Sequence, residues 1–151
     1  MSPESPPLSK VRRSTPVGEI MNKQVISLQL ASPVSLADEL MKLHAIHHLP
    51  VLEGKVLRGI VSQTDLYKNM LSYFLIDSER EQREFLDRVL DLHTLMTVEP
   101  LTLEPERTVG EALELMTQYR VSSIPVVNGQ NELLGIVTDF DMLRLLRETL
   151  K

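Results

Sequence analysis

Two short stretches concentrate the polar chemistry of this chain: Ser62-Gln63-Thr64-Asp65 and Thr138-Asp139-Phe140-Asp141, each directly after Gly-Ile-Val. A hydroxyl and a carboxylate three residues apart, where a strand gives way to a helix, admit two chemistries. Free backbone N–H groups and the hydroxyl point together at an anion placed there, and the acid accepts from both hydroxyls of a ribose, a bidentate contact that marks a nucleoside. The same spacing is also that of a capping box, in which the acid only bonds back to the N–H of the cap residue. A second cluster, His44, His47 and His48, would bring three imidazoles near one face of a continuing helix and invite a metal ion. Pro50 disfavours helix at Leu49, so the helix should end there and no metal site is assigned. The chain has no G-x-S-x-G elbow, P-loop, Rossmann glycine fingerprint or cysteine, so nothing in it points to an enzyme.

Elements that position these stretches emerge from an internal repeat at an offset of about 75 residues. Met21 matches Met96, Leu28 Leu103, Met41 Met116, Pro50-Val51 Pro125-Val126, and, after one inserted residue near Gln130, Gly59-Ile60-Val61 matches Gly135-Ile136-Val137. Each copy begins with a short apolar strand, Val25 to Leu28 or Leu101 to Leu103. A helix follows. In the second copy Thr108 and Glu111 form its capping box, with Leu113, Met116 and Tyr119 at helical spacing; in the first, Ser32 caps, Pro33 opens the helix, and Leu36, Leu40 and Leu43 make the buried stripe. Next come hairpins, Leu49 to Leu52 with Val56 to Val61 and Ile124 to Val127 with Leu133 to Val137, and closing helices from near Thr64 and Asp139. Leu71, Phe74 and Leu75 are expected on the first closing helix, and Phe140 beside the second acid as core or as a wall for a base. The unit is β-α-β-β-α, an α+β fold whose two copies should pack about a pseudo-two-fold axis, since neither can bury both faces of so small a sheet.

The expected organisation is a loose Pro- and Ser-rich arm over residues 1–15, repeats over 16–71 and 92–151, and a helical linker over 72–91. In the linker, Ser78 and Glu81 open a helix with Phe85, Val89 and Leu92 along one face. The 151 residues are 42% hydrophobic and 25% charged, the balance of a globular domain. With no Cys, no Trp and 4% aromatics, the core is aliphatic, filled in part by seven Met. A net charge of −5 speaks against a nucleic-acid partner, and no apolar run is long enough for membrane insertion. The missing cysteines make cytoplasm the expected location.

His47-His48-Leu49-Pro50-Val51-Leu52 with Gly59-Ile60-Val61-Ser62-Gln63-Thr64-Asp65, and Ser122-Ser123-Ile124-Pro125-Val126-Val127 with Gly135-Ile136-Val137-Thr138-Asp139-Phe140-Asp141, resemble a paired CBS-domain module. The resemblance implies a regulatory module, likewise no enzyme, that binds an adenosine-containing ligand in clefts between the repeats: AMP or ATP foremost, or ADP, NAD or S-adenosylmethionine. It requires no cofactor beyond that ligand. It also implies a homodimer and a separate effector protein that reads the bound state. On this resemblance one cleft takes Asp141, Thr138 and Ile136 with Ile46 and His47, and the other Asp65, Ser62, Thr64 and Ile60 with Val121 and Ser122. His48 and Ser123 stand where the family often carries a phosphate-binding Arg, which weakens the grip on a triphosphate. The alternative is a structural pairing module that binds no ligand.

Overall fold

Runs of apolar residues on either side of a Gly-containing turn fold back on one another, and both repeats are built around such a hairpin. The computed structural model describes residues 7–70 and 75–150. It divides into two compact units, Ile26–Pro100 and Leu101–Lys151 with Met1–Val25. They are termed the first-repeat and second-repeat units.

The first-repeat unit runs β1 (Leu28–Gln29), α1 (Val34–His44), β2 (His48–Glu53), β3 (Val56–Ser62), α2 (Gln63–Lys68), α3 (Glu79–Val89), α4 (Leu92–Leu95) and β4 (Thr97–Val98). Gly54 takes the left-handed φ of 64° that the β2–β3 turn requires. The sheet order is β1-β2-β3-β4, with β1 parallel to β2 and the other pairs antiparallel. Val34, Ala37 and Met41 of α1 join Leu28, Leu49, Val51, Val61, Leu66, Met70, Leu86 and Leu92 in the core.

The second-repeat unit holds α5 (Val109–Tyr119), β5 (Ser123–Val127), β6 (Leu133–Thr138) and α6 (Asp139–Thr149). Leu103 bridges in parallel to Val126, and Asn22 pairs antiparallel with Ile136 on the other edge of the β5–β6 hairpin. Strand order is thus the same as in the first-repeat unit. In each unit, the last edge is supplied by residues that precede the other repeat's first strand.

Several local expectations are corrected. Ser32 does not cap α1: the N-cap is Pro33, which offers no side-chain bond, and Asp87 of α3 takes the Ser35 N–H instead. α1 begins one residue later than the cap reading places it; of the expected stripe, Leu36 and Leu40 are half-buried and pack against the core beside the buried Val34, Ala37, Asp38 and Met41, while Leu43 is 72% exposed. Tyr119 and Val89 are likewise exposed, Leu86 is the buried residue of α3, and Leu92 belongs to α4. Leu75 lies beyond the end of α2 and is exposed; Leu71 and Phe74 fall outside the described residues. Phe140 is 65% exposed and so is not core, since Met142 and Leu145 take the inward face of α6. The arm differs too. A 3-10 turn over Leu8–Lys10 packs near α6, and Val11 is buried in the second-repeat core. Apolar Leu8, Val11 and Val17, spaced among the polar residues, are what hold it there. Among the described residues, no helix is long and apolar enough to cross a membrane.

Candidate functional site

Each closing helix starts where an extended residue leaves the sheet: Ser62 (φ −97°, ψ 157°) ahead of α2 and Thr138 (φ −121°, ψ 165°) ahead of α6. At the first junction the Asp65 N–H donates to Ser62 Oγ and the Ser62 N–H to Asp65 Oδ2, both at 3.0 Å. At the second, the Thr138 N–H and hydroxyl donate to Asp141 Oδ2 at 2.8 and 3.1 Å, and the Asp141 N–H reaches Thr138 Oγ1 at 3.4 Å. Both junctions are therefore capping boxes. The boxes use one oxygen of each acid. Oδ1 of Asp65 and Asp141 accepts no hydrogen bond from the described residues, and its lone pairs can still meet a pair of hydroxyls. Both acids are half-buried, which orients them without hiding them.

The anion cradle expected at these helix starts is largely filled. Gln63 N–H donates to the His47 carbonyl and Asp139 N–H to the Ser122 carbonyl, each at 2.8 Å. Phe140 N–H donates to Asp139 Oδ1 at 2.8 Å, so the first three N–H groups of α6 all have partners. The orphan donors of a helix start must be satisfied, and here the residue ahead of the Pro-Val strand does it. Those same bonds bring His47 beside the first junction and Ser122 beside the second. In the hairpins His48 lies opposite Ser62 and Ser123 opposite Thr138. Ser123 is 8% exposed and His48 half-buried. Ile60 pairs with Pro50 and Thr97, and Ile136 exchanges N–H···O bonds of 2.9 and 3.0 Å with Asn22. The main chain of both is thereby engaged in the sheet, which leaves their side chains for any contact. Thr64 is exposed on α2; Ile46 and Val121 are half-buried and pack against their own unit's core.

Gln63 and Tyr67 were not singled out by sequence. Gln63 Oε1 lies 2.8 Å from His47 Nδ1, and Gln63 Nε2 donates to the Tyr67 hydroxyl at 3.1 Å. Their i, i+4 spacing on a helix was the available signal. His44 ends α1, Ala45 turns left-handed at φ 51°, and His48 enters β2, so the three histidines share no helix face.

Residues 17–72 and 89–148 match the CBS domain family model. A CBS domain-containing protein of Dictyostelium discoideum is 31% identical over 136 residues, which covers 89% of this chain and 93% of that protein. An inosine-5'-monophosphate dehydrogenase of Korarchaeum cryptofilum is 32% identical over 120 residues, 80% of this chain but 22% of the enzyme. A crystallised CBS domain pair in complex with 5'-methylthioadenosine and S-adenosyl-L-methionine superposes with a TM-score of 0.72 at 26% identity, covering 88% of this chain and 96% of that one. Another structure, a complex with AMP, shares the fold at 23% identity and a TM-score of 0.72, covering 90% of this chain and 98% of that one. Two matched repeats, two hairpins of one topology and two equivalent strand-to-helix junctions make this chain a member of the CBS domain family, an α+β protein built from a pair of CBS repeats.

Proposed function

We propose that this chain is a regulatory module, with a binding rather than a catalytic role, that takes up an adenosine-containing ligand and passes the bound state to a partner protein. It acts as a homodimer in the cytoplasm. The observation that carries this reading is the duplicated junction, where a half-buried acid with one oxygen open stands beside the main chain that leads into the Pro-Val strand. The family supports it, since one crystallised pair holds 5'-methylthioadenosine and S-adenosyl-L-methionine. Asp141 and Asp65 are assigned to ribose, Thr138 and Ser62 to orienting those acids, and Ile136, Ile60 and Thr64 to apolar and polar contacts alongside. Ile46, His47, Val121 and Ser122, on the main chain leading into the two Pro-Val strands, are assigned to the base. His48 stands nearest the phosphate end.

Engaged helix-start N–H groups and the missing guanidinium make the phosphate grip weak, so AMP and S-adenosylmethionine should bind better than ATP. A thermal-shift series with AMP, ADP, ATP, NAD and S-adenosylmethionine ranks them, because a ligand at a hundred times its Kd stabilises the fold by about 2.7 kcal/mol. Asp141→Ala should abolish or strongly reduce the shift. Calorimetry that finds unchanged affinity for every adenosine ligand in that variant overturns the assignment.

A second reading, a pairing module without ligand, is favoured by the outer face of α6. Phe140, Leu143, Leu146 and Leu150 are 65%, 61%, 52% and 76% exposed along it. It predicts no thermal shift from any adenosine ligand at millimolar concentration, and a dimer by sedimentation that Leu143→Glu dissociates.

A further inference from the structure

We propose that Asn128, in the β5–β6 turn, is a site of spontaneous deamidation through a cyclic imide, and that the Glu132 carboxylate sets how fast the reaction runs. The second-repeat unit thereby carries a one-way covalent change for which the first-repeat turn, Glu53-Gly54-Lys55, has no amide.

Asn22, Asn69, Asn128 and Asn131 are the four asparagines of the chain, and only Asn128 precedes a glycine. Ring closure joins a side-chain Cγ to the next residue's backbone nitrogen, which a glycine leaves unshielded. Gly129 is exposed, its N–H meets no acceptor among the described residues, and a Cβ there would find no atom within 4 Å. The Asn128 amide beside it has a fixed orientation. Oδ1 accepts from the Gln130 N–H at 3.0 Å and the Glu132 N–H at 2.9 Å, while Nδ2 donates to Glu132 Oε1 at 2.9 Å. Backbone N–H groups only donate and a carboxylate only accepts, so the two ends of the amide cannot be exchanged. In the reaction a base removes the Gly129 N–H proton, the nitrogen attacks Cγ, and the Cγ–Nδ2 bond breaks as Nδ2 takes up a proton and leaves as ammonia. Water then opens the imide: cleavage at Cγ gives aspartate, and cleavage at the Asn128 main-chain carbonyl gives isoaspartate. The two N–H groups on Oδ1 stabilise the oxyanion formed on the way. Glu132 opposes it, since its carboxylate holds the departing nitrogen and places a like charge beside the new anion. After reaction the donor that faced Glu132 is gone, and in the aspartyl product two acceptor-only carboxylates meet across the turn. The isoaspartyl product adds a methylene to the main chain of a hairpin whose register pairs Val127 with Leu133.

Peptide mass spectrometry that separates aspartyl from isoaspartyl residues follows position 128 in the full chain, incubated in mildly alkaline buffer. Folded Glu132→Ala should convert about fivefold faster than the folded wild type, and Glu132→Gln, which keeps an acceptor but no charge, should lie between them. Adding Gly129→Ala to Glu132→Ala should remove the gain. Each rate is repeated in dilute urea, where conversion through global unfolding accelerates and conversion in the folded turn does not. The site is overturned if Glu132→Ala stays unmodified at position 128 over a period in which the urea-unfolded wild type converts, or if its rate climbs with urea as global unfolding does. A folded Glu132→Ala no faster than the wild type overturns the role of Glu132. For the product, Asn128→Asp should unfold at lower urea than the wild type, and adding Glu132→Gln should return part of that shift. A midpoint equal to that of the wild type overturns the repulsion between the two carboxylates.

Discussion

The two units meet the same structural demand with different parts of the chain. Ser35 in α1 and Gly110 in α5 are equivalent positions in the first turn of equivalent helices. In the first-repeat unit the linker helix α3 covers α1: the Asp87 carboxylate takes the Ser35 N–H at 2.9 Å and the Ser35 hydroxyl at 2.8 Å, and Leu86 is buried in the core. In the second-repeat unit the N-terminal segment does this work. The Arg13 carbonyl accepts from Gly110 N–H at 2.9 Å, the Thr15 carbonyl from Val109 N–H at 2.8 Å, and Val11 and Val17 are buried. Orphan N–H groups at a helix start need acceptors, but not acceptors from any particular place. Duplication copied the demand, and the two copies answer it with unrelated sequences.

Removing either cover is the strongest way to test this. Leu86→Ala empties a position 1% exposed and should cost about 2–5 kcal/mol, and Val17→Ala, at 0% exposed, should cost about 2 kcal/mol. Hydrogen exchange should show the first variant loosening the amides of α1 and the second those of α5. If Leu86→Ala loosens α5 as much as α1, the covers are not local and the comparison breaks.

What the units share should be equally costly in both. A Cβ at Gly59 would fall 2.6 Å from Met96 Sδ and 2.7 Å from the Thr97 carbonyl; one at Gly135 would fall 2.6 Å from Met21 Sδ and 2.9 Å from the Asn22 carbonyl. The backbone oxygens cannot give way as a flexible thioether can. Gly59→Ala and Gly135→Ala should each lose about 1–3 kcal/mol in urea unfolding. A large loss at only one of them would show that the edge strands are not equivalent.

The caps themselves should differ. Asp87→Ala removes both bonds to Ser35 and should cost about 1 kcal/mol. Its counterpart in the second-repeat unit is a main-chain carbonyl, so Arg13→Ala leaves the cap in place. That change removes only the exposed Arg13–Glu114 ion pair of 3.1 Å, worth about 0–0.5 kcal/mol. Equal losses in the two variants, measured by chemical denaturation, would argue against the carbonyl as the operative cap.

The hairpins and closing helices were legible in the sequence because their signals are local. Apolar runs flank Gly54, and Ser62 and Thr138 stand three residues ahead of an acid. The Thr108–Glu111 box was legible for the same reason, and both of its bonds are present. Ser32 misled because the cap of α1 comes from a residue some fifty positions away, which no local pattern announces. The arm misled similarly: Pro and Ser dominate its composition, yet three spaced aliphatic residues decide its place. At the candidate site the acids and hydroxyls could be named, since their spacing repeats. That the first-turn N–H groups are already spoken for could not, because their partners are the carbonyls of His47 and Ser122, and a carbonyl looks the same at every position of a sequence.

The smallest expected asymmetry is one of pH. Asp91 caps α4 and accepts from Thr94 N–H at 2.7 Å and from the Thr94 hydroxyl at 2.8 Å. The Thr94 backbone N–H first, then its hydroxyl, hold the Asp91 carboxyl below the usual range, with the His93 charge adding in the same direction. A carboxyl depressed in the folded state binds fewer protons there than in the unfolded chain. Its contribution is therefore present at pH above the ordinary carboxylate value and disappears as pH falls through the lower folded value. The matching segment of the second-repeat unit, Val17–Glu19, is capped by Pro16, which has no side chain to titrate. Acidification should thus weaken this turn in the first-repeat unit and leave its counterpart unaffected by the same mechanism. Urea unfolding at neutral and acid pH, compared between the wild type and Asp91→Asn, isolates the effect from that of the other carboxylates. The variant should lose part of the wild type's acid sensitivity, and identical sensitivity in the two proteins would remove Asp91 from the comparison.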